Sequence, residues 1–246
     1  MTLAAPKNRD ELKQLAALRG MRAPLDRTRF SSGQNDATTI DTPGFMQPSY
    51  ALQKRIFDVA VCLILLPLAL SVMLICGVLV WLESPGPMFF TQLRTGLTGN
   101  RFKMFKLRTM LANAEELKAM YAHLNELTWP DFKIANDPRI TPIGKILRKT
   151  SLDELPQLFN VLLGQMSLVG PRPTSFDVST YSLWHTERLE VLPGITGLWQ
   201  ISGRSDVDFD ERLRLDVEYI KRRSLWFDLE ILFKTVFVLL RPRGAY

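Results

Sequence analysis

Residues 59–82 read VAVCLILLPLALSVMLICGVLVWL, and how this stretch sits decides the fold. It runs for about 24 residues without a formal charge, between Asp58 and Glu83; at ~1.5 Å per residue a straight helix of that length covers about 36 Å, against ~30 Å for a bilayer core. One transmembrane helix is the plain reading. Two features point elsewhere. Pro67 lies inside the run, where it removes the hydrogen bond to the Leu63 carbonyl, costs roughly 3 kcal/mol and kinks a helix. Ser71, one turn later, can satisfy freed backbone groups. The second feature is charge, because a Lys/Arg difference between its two sides orients a span. Here both flanks are basic: Lys7, Arg9, Lys13, Arg19, Arg22, Arg27, Arg29, Lys54 and Arg55 upstream, Arg94, Arg101, Lys103, Lys106 and Arg108 downstream. A helix broken at Pro67 that enters and leaves one leaflet on the same face suits both observations. A kinked span is the alternative.

Working outward, 246 residues leave room for one moderate core plus a tail. A net charge of +6 suits an anionic membrane surface or phosphate ligands. Nucleic acid is not expected, since no helix-turn-helix, zinc or RNA-binding signature is present. Cys62 and Cys76 both fall in the apolar run and read as small packing residues, with neither a disulfide framework nor a CxxC pair. The run starts too far in, and is too long, for a cleaved signal peptide. Residues 1–50 read as a mostly disordered basic tail, with a short amphipathic helix over 9–19. Residues 51–83 form the membrane segment and residues 84–246 the remaining domain. The fold expected is α-rich α+β.

Lys54 and Arg55 are placed to meet lipid phosphates at the interface, with Asp58 pairing one of them. Ser84-Pro85-Gly86-Pro87 is a turn where the chain leaves the membrane. Residues 88–93 are extended. Residues 101–110 (RFKMFKLRTM) alternate basic and apolar at period two, which predicts a half-buried strand bearing Arg101, Lys103, Lys106 and then Arg108. Such a row of cations suits a polyphosphate, and equally a solvated edge strand. Amphipathic helices are expected over 111–127 and 141–150, a charged helix over 211–223 and an apolar one over 226–240. The last is too charged to span, so it belongs to the core or the membrane interface.

The most informative polar stretch is Ser151-Leu152-Asp153-Glu154-Leu155-Pro156-Gln157. Two carboxylates stand before a short apolar helix, 158–163, that Gly164 ends. Ser151 with Glu154 matches a capping box, or Asp153 is itself the N-cap. An ionised Asp near several cations could equally hold a divalent ion or act as a nucleophile. Adjacent side chains point about 100° apart, so the two acids would not perform one task. Arg172, between two prolines in Gly170-Pro171-Arg172-Pro173, has a restricted backbone and suits a fixed phosphate clamp. The residues alone also allow a non-catalytic membrane adaptor, with the dyad as a cap, or a metal-dependent hydrolase of lipid diphosphates.

Lys54-Arg55-x-x-Asp58, Pro67, Ser84-Pro85-Gly86-Pro87, Gln92-x-Arg94-x-Gly96, Phe105-Lys106-x-Arg108-Thr109-Met110, the stretch from Ser151 to Gln157, Gly170 to Pro173, Pro193-Gly194-Ile195-Thr196-Gly197 and Gly203-Arg204 follow one another in that order. The set resembles the bacterial sugar transferase family, monotopic polyprenyl-phosphate phosphoglycosyltransferases, from about Lys54 onward. The proline here comes nearer the Lys-Arg pair than the family pattern has it. The resemblance implies a re-entrant helix in the cytoplasmic leaflet of the bacterial inner membrane, a small catalytic domain with amphipathic interfacial helices, and Mg²⁺ as cofactor. It implies that Asp153 attacks the β-phosphate of a UDP-sugar, that UMP leaves, and that polyprenyl phosphate then takes the phosphosugar. Glu154 would serve as partner in metal or proton handling, Asp153 and Glu154 as the metal-binding pair, and Arg148 and Arg172 as phosphate ligands. Lys106, Arg108 and Arg204 would be further substrate contacts. Galactose or glucose 1-phosphate transfer at the start of exopolysaccharide repeat units is the expectation by analogy. A homodimer is among the expected forms of assembly.

Overall fold

The computed structural model describes residues 48–125, 134, 136–177, 181, 183–202 and 209–240. The expected tail over 1–47, including its short helix, lies outside these residues. The central element is one helix, α1 (Pro48–Glu83), that includes the whole apolar run. It is continuous through Pro67, so the expected break into two helices is not seen. Ser71 Oγ donates to the Pro67 carbonyl at 3.2 Å, a back-bond of the kind expected beside a proline-disturbed turn.

One face of α1 is packed and the other bare. Asp58, Cys62, Ala69, Met73, Cys76 and Val80 are buried and recur at helical intervals. Between them Leu63, Ile64, Leu68, Leu74, Ile75, Leu79, Trp81 and Leu82 are exposed. The packed face runs along the rest of the protein, and both of its ends are fixed there. Lys54 Nζ lies 2.8 Å from Asp228, and Ser167 Oγ donates to Asp58 at 2.7 Å. At the other end the Glu83 carboxylate accepts from the Ile143 amide at 3.0 Å. A straight span would put these ends on opposite sides of a membrane, so the domain that binds both would have to cross with it.

Strands β1 (Phe89–Thr95) and β2 (Arg101–Leu107) form an antiparallel hairpin, with Phe89 opposite Leu107 and Thr95 opposite Arg101. The period-two reading of β2 holds over residues 101–104, where Phe102 and Met104 are buried and Arg101 and Lys103 exposed; beyond them it fails, since Lys106 is half-buried and Leu107, on the face of Arg101 and Lys103, is buried. The helix expected over 111–127 is instead two short 3₁₀ turns, Glu116–Lys118 and Ala122–Leu124, as far as residue 125. Its apolar side chains Leu111, Met120 and Leu124 are largely exposed, so no packing partner completes a helix.

Helix α2 (Pro142–Thr150) starts at Thr141, whose hydroxyl accepts from the Gly144 amide. Gly144 itself is forced, since a Cβ there would lie 2.0 Å from the Thr109 carbonyl oxygen. Helix α3 (Gln157–Leu162) follows, and then β3 (Ser167–Val169), which pairs in parallel with β4 (Gly194–Thr196). Gly170 and Gly194 allow that pairing: a Cβ on Gly194 would sit 2.1 Å from the Gly170 nitrogen. The chain continues through α4 (Leu198–Ser202), α5 (Phe209–Arg222) and α6 (Leu225–Leu240). The core joins Cys62 and Met73 of α1 to Met104, Val161, Met166, Val169, Tyr219 and Ile231. Helix α6 buries Phe227, Asp228 and Ile231 and exposes Trp226, Phe233, Phe237 and Leu240, a second bare apolar face.

Candidate active site

The site is built where α2 ends. Ser151 takes a left-handed conformation (φ 58°, ψ 17°), so its side chain caps nothing and the chain turns sharply into a 3₁₀ turn, Leu152–Glu154. Neither capping reading of this stretch holds: α3 begins without a side-chain cap, and Ser151 is the C-cap of α2. Leu152 packs with Leu147, Cys76 and Val80. That contact fixes the turn and places Asp153 in the interior, 6% exposed.

The neighbours of the two acids are cationic. Lys106, from β2, lies 2.7 Å from Glu154 Oε1 and 3.7 Å from Asp153 Oδ2. Arg172 grips Glu154 with both terminal nitrogens, at 3.1 and 2.5 Å. Arg148, in the last turn of α2, donates through Nε to the Thr109 hydroxyl at 2.9 Å, within electrostatic reach of Asp153. Arg94 stands behind Arg172, donating to Gln92 Oε1 at 2.5 Å and to the Pro173 carbonyl at 3.3 Å.

The two carboxylates are therefore unlike. Burial pushes Asp153 above the ordinary carboxylate range; Lys106 opposes this and Glu154 adds to it. Burial would raise Glu154 too, but Arg172 and Lys106 override it and hold that group well below its usual value. Among the described residues Asp153 accepts no side-chain or backbone hydrogen bond. Burial together with the nearby Arg172 lowers Arg94 to about 10.

Arg108 is not in this cluster. It is buried, and its guanidinium donates to the Ser84 carbonyl beyond the end of α1, where it serves as a cation at a helix C-terminus. Arg204 lies outside the described residues. Lys54 and Arg55 point inward rather than to a headgroup: Lys54 to Asp228, Arg55 to the carbonyls of Val161 and Leu162. The sequence reading gave no role to Arg94, although it quoted the residue in a motif. It also missed Arg188, which holds the Arg172 carbonyl at 2.5 Å and the buried Asp216 at 2.7 Å. The signal available was only a polar residue in a helical stretch. A surface groove on α5, lined by Asp210, Glu211, Arg214, Leu215 and Glu218, contains none of the clustered residues.

A family model described as bacterial sugar transferase matches residues 49–242. The chain belongs to the bacterial sugar transferase family. It is 44% identical over 209 residues to the galactosyl transferase CpsE of Streptococcus agalactiae, covering 82% of this chain and 45% of that protein. It is 46% identical over 198 residues to the undecaprenyl-phosphate galactose phosphotransferase of Salmonella typhimurium, covering 78% and 41%. The exopolysaccharide production protein ExoY of Rhizobium meliloti is 39% identical over 208 residues, covering 82% and 92%. The chain thus spans less than half the length of the first two relatives and nearly all of the third.

For Mg²⁺, which the resemblance implies, the donor set is sparse. Among the described residues no three His, Cys, Asp or Glu side chains gather as a metal cage. Both Glu154 oxygens are engaged by cations, which leaves the Asp153 carboxylate as the free oxygen donor. One carboxylate fits an ion that keeps most of its ligands on water and substrate phosphate, as Mg²⁺ commonly does.

Proposed function

We propose that this sugar transferase moves a sugar 1-phosphate, galactose or glucose 1-phosphate, from its UDP-sugar to undecaprenyl phosphate. Asp153 is the nucleophile. A carboxylate oxygen of Asp153 attacks the β-phosphorus, the bond from that phosphorus to the bridging oxygen breaks, and UMP departs with the oxygen. A phosphate oxygen of the polyprenyl phosphate then attacks the same phosphorus. The Asp153 carboxylate leaves, and polyprenyl-diphosphate-sugar is formed. The names of the relatives support the substrate classes.

The observation that carries this reading is the contrast within the dyad. Glu154 is saturated by Arg172 and Lys106, while Asp153 is buried beside Lys106 and Arg148 with no hydrogen bond to quench it among the described residues. A carboxylate attacking a diphosphate brings anions together, so the surrounding cations must neutralise the developing charge. Four cations (Lys106, Arg148, Arg172 and Arg94) face two carboxylates, an excess suited to a diphosphate carrying two charges. A bound Mg²⁺, held by the Asp153 side of the dyad and substrate oxygens, would supply further neutralisation of the diphosphate.

The reading also places the protein at the cytoplasmic face of the inner membrane, with the bare faces of α1 and α6 against one leaflet and α1 held in that leaflet rather than spanning. Support comes from the common anchoring of both α1 ends. The test uses the full chain in detergent with UDP-galactose or UDP-glucose and no lipid acceptor. Intact mass should show a hexose-phosphate adduct, lost in Asp153→Asn and discharged by undecaprenyl phosphate. Free sugar phosphate without an adduct would overturn the mechanism.

A further inference from the structure

The apolar helix and the reactive segment are fastened together at both ends. The reactive segment comprises α2, the 3₁₀ turn with Asp153 and Glu154, and α3. At its start the carboxylate of Glu83, the last residue of α1, accepts from the Ile143 amide at 3.0 and 3.3 Å. That amide is one of the first-turn donors that have no partner inside a helix. At its far end Arg55, near the start of α1, donates to the Val161 carbonyl at 2.5 Å and the Leu162 carbonyl at 2.9 Å. These are last-turn acceptors of α3. An acid thus sits on one helix N-terminus and a cation on the other helix C-terminus, as both dipoles favour. Between the anchors, Leu152 and Leu147 pack on Cys76 and Val80, while Leu158 and Val161 share the core with Cys62 and Met73.

The side chain of Asp153 does little to fix its own position. With no hydrogen bond to it among the described residues, its distance of 3.7 Å from Lys106 follows from the backbone of its turn and from the hold of Glu154 on Lys106. That backbone is set by two short helices, and each has its outer end closed by a residue of α1. At the start of α2 the local cap Thr141 takes the Gly144 amide, and Glu83 takes the neighbouring Ile143 amide. The same distant element thus reaches both outer ends, from the two borders of the membrane-facing run.

We propose that Arg55 and Glu83 are positioning residues that hold Asp153 in register with its cations, so that the shape of the membrane helix governs the reaction. The proposal rests on the reading of Asp153 as nucleophile. Groups facing Asp153 are Lys106 on β2, Glu154 on its own turn, Arg148 on α2 and Arg172 on the loop after β3. A turn released at either end moves the carboxylate relative to all four.

The test uses full-length protein in nanodiscs of phosphatidylethanolamine and phosphatidylglycerol, with two readouts. The first is steady-state transfer from UDP-galactose and UDP-glucose to undecaprenyl phosphate. The second needs no turnover: carbodiimide labelling of Asp153 as a function of pH, read by peptide mass. Glu83→Ala and Arg55→Met are expected to lower kcat about tenfold each, as small misplacements of reacting groups do, with KM for the nucleotide sugar changed less than about twofold. Both should shift the pH midpoint of labelling away from the parental value, because the burial of Asp153 and its distance from Lys106 change together. Glu83→Gln, which keeps an acceptor for Ile143, should restore most of both.

Folded variants with parental kcat and midpoint would overturn the proposal, as would a loss confined to KM. If the truncations fail to fold, Arg55→Lys decides. Its ammonium cannot reproduce the two-nitrogen grip on both carbonyls, so a folded Arg55→Lys protein with parental kcat and midpoint overturns the proposal equally. Asp153→Asn, with both anchors intact, separates the two readings. Transfer retained there would overturn the nucleophile assignment, while the labelling midpoints in the anchor variants still judge the positioning.

Discussion

Two buried aspartates in this protein have opposite surroundings. Asp228, on α6, is fully buried and satisfied: Lys54 lies at 2.8 Å, and the hydroxyls of Tyr219 and Tyr50 donate at 2.7 and 3.1 Å. Asp153 is almost as buried, but its nearest cation is 3.7 Å away and no donor among the described residues reaches it. A charge kept for structure is surrounded until nothing more can bind. A charge kept for chemistry stays under-coordinated, and its cost is tolerated because the rest of the fold holds it there.

The largest test of that contrast is the pair of substitutions themselves. Asp153→Asn should abolish UMP release, by about 10³-fold or more, without lowering the unfolding midpoint. Asp228→Ala should lower unfolding free energy by about 3 kcal/mol, measured by denaturant titration, because it removes the nearest partner of Lys54 and the carboxylate acceptor of two tyrosine hydroxyls. The folded fraction of that variant should keep its kcat. If the two outcomes exchange, the roles assigned here exchange with them.

Arg172→Lys comes next. It retains the charge but not the two-nitrogen contact with Glu154, and should reduce kcat/KM about 10- to 100-fold. A smaller effect is expected at Ser151. Valine there must enter a left-handed conformation and should cost about 1–2 kcal/mol of stability, whereas Ser151→Gly should be close to neutral.

The subtlest effect is on pH. On the proposed mechanism Asp153 must be ionised to attack, and its folded pKa lies above the ordinary carboxylate value, so kcat/KM should fall as pH drops through that raised value. Lys106→Met removes the cation that opposes the rise, and the acid limb should move upward. Glu154 behaves in the opposite sense. Its folded pKa is depressed, so its contribution to stability is present above the usual glutamate range and fades only as pH falls well below it.

Much of this was legible in the sequence, and the exceptions share a cause. The apolar run, the basic strand, α2 and the Asp153–Glu154 stretch could be read because periodicity and turn chemistry are local. The capping reading of Ser151 failed because the backbone there is left-handed, which a serine does not announce. Arg108, Lys54 and Arg55 read as outward-facing phosphate ligands. The pairing of Lys54 with Asp58, one helical turn on, could be read from spacing and is seen at 3.9 Å. The closer partners Asp228, Val161, Leu162 and Ser84 are up to 174 residues distant in the chain and cannot be paired by spacing. Over the described part of the helix expected at 111–127, Ala114 is buried but Leu111, Met120 and Leu124 stay exposed, and apolar spacing alone does not show that.

The Lys54–Asp228 contact ties the first described helix to the last like a belt buckle. Trimming α6, or fusing a bulky partner at its start, should therefore loosen the grip on the greasy helix at the opposite end of the chain. Any shortened version made for study would do best to leave that clasp closed.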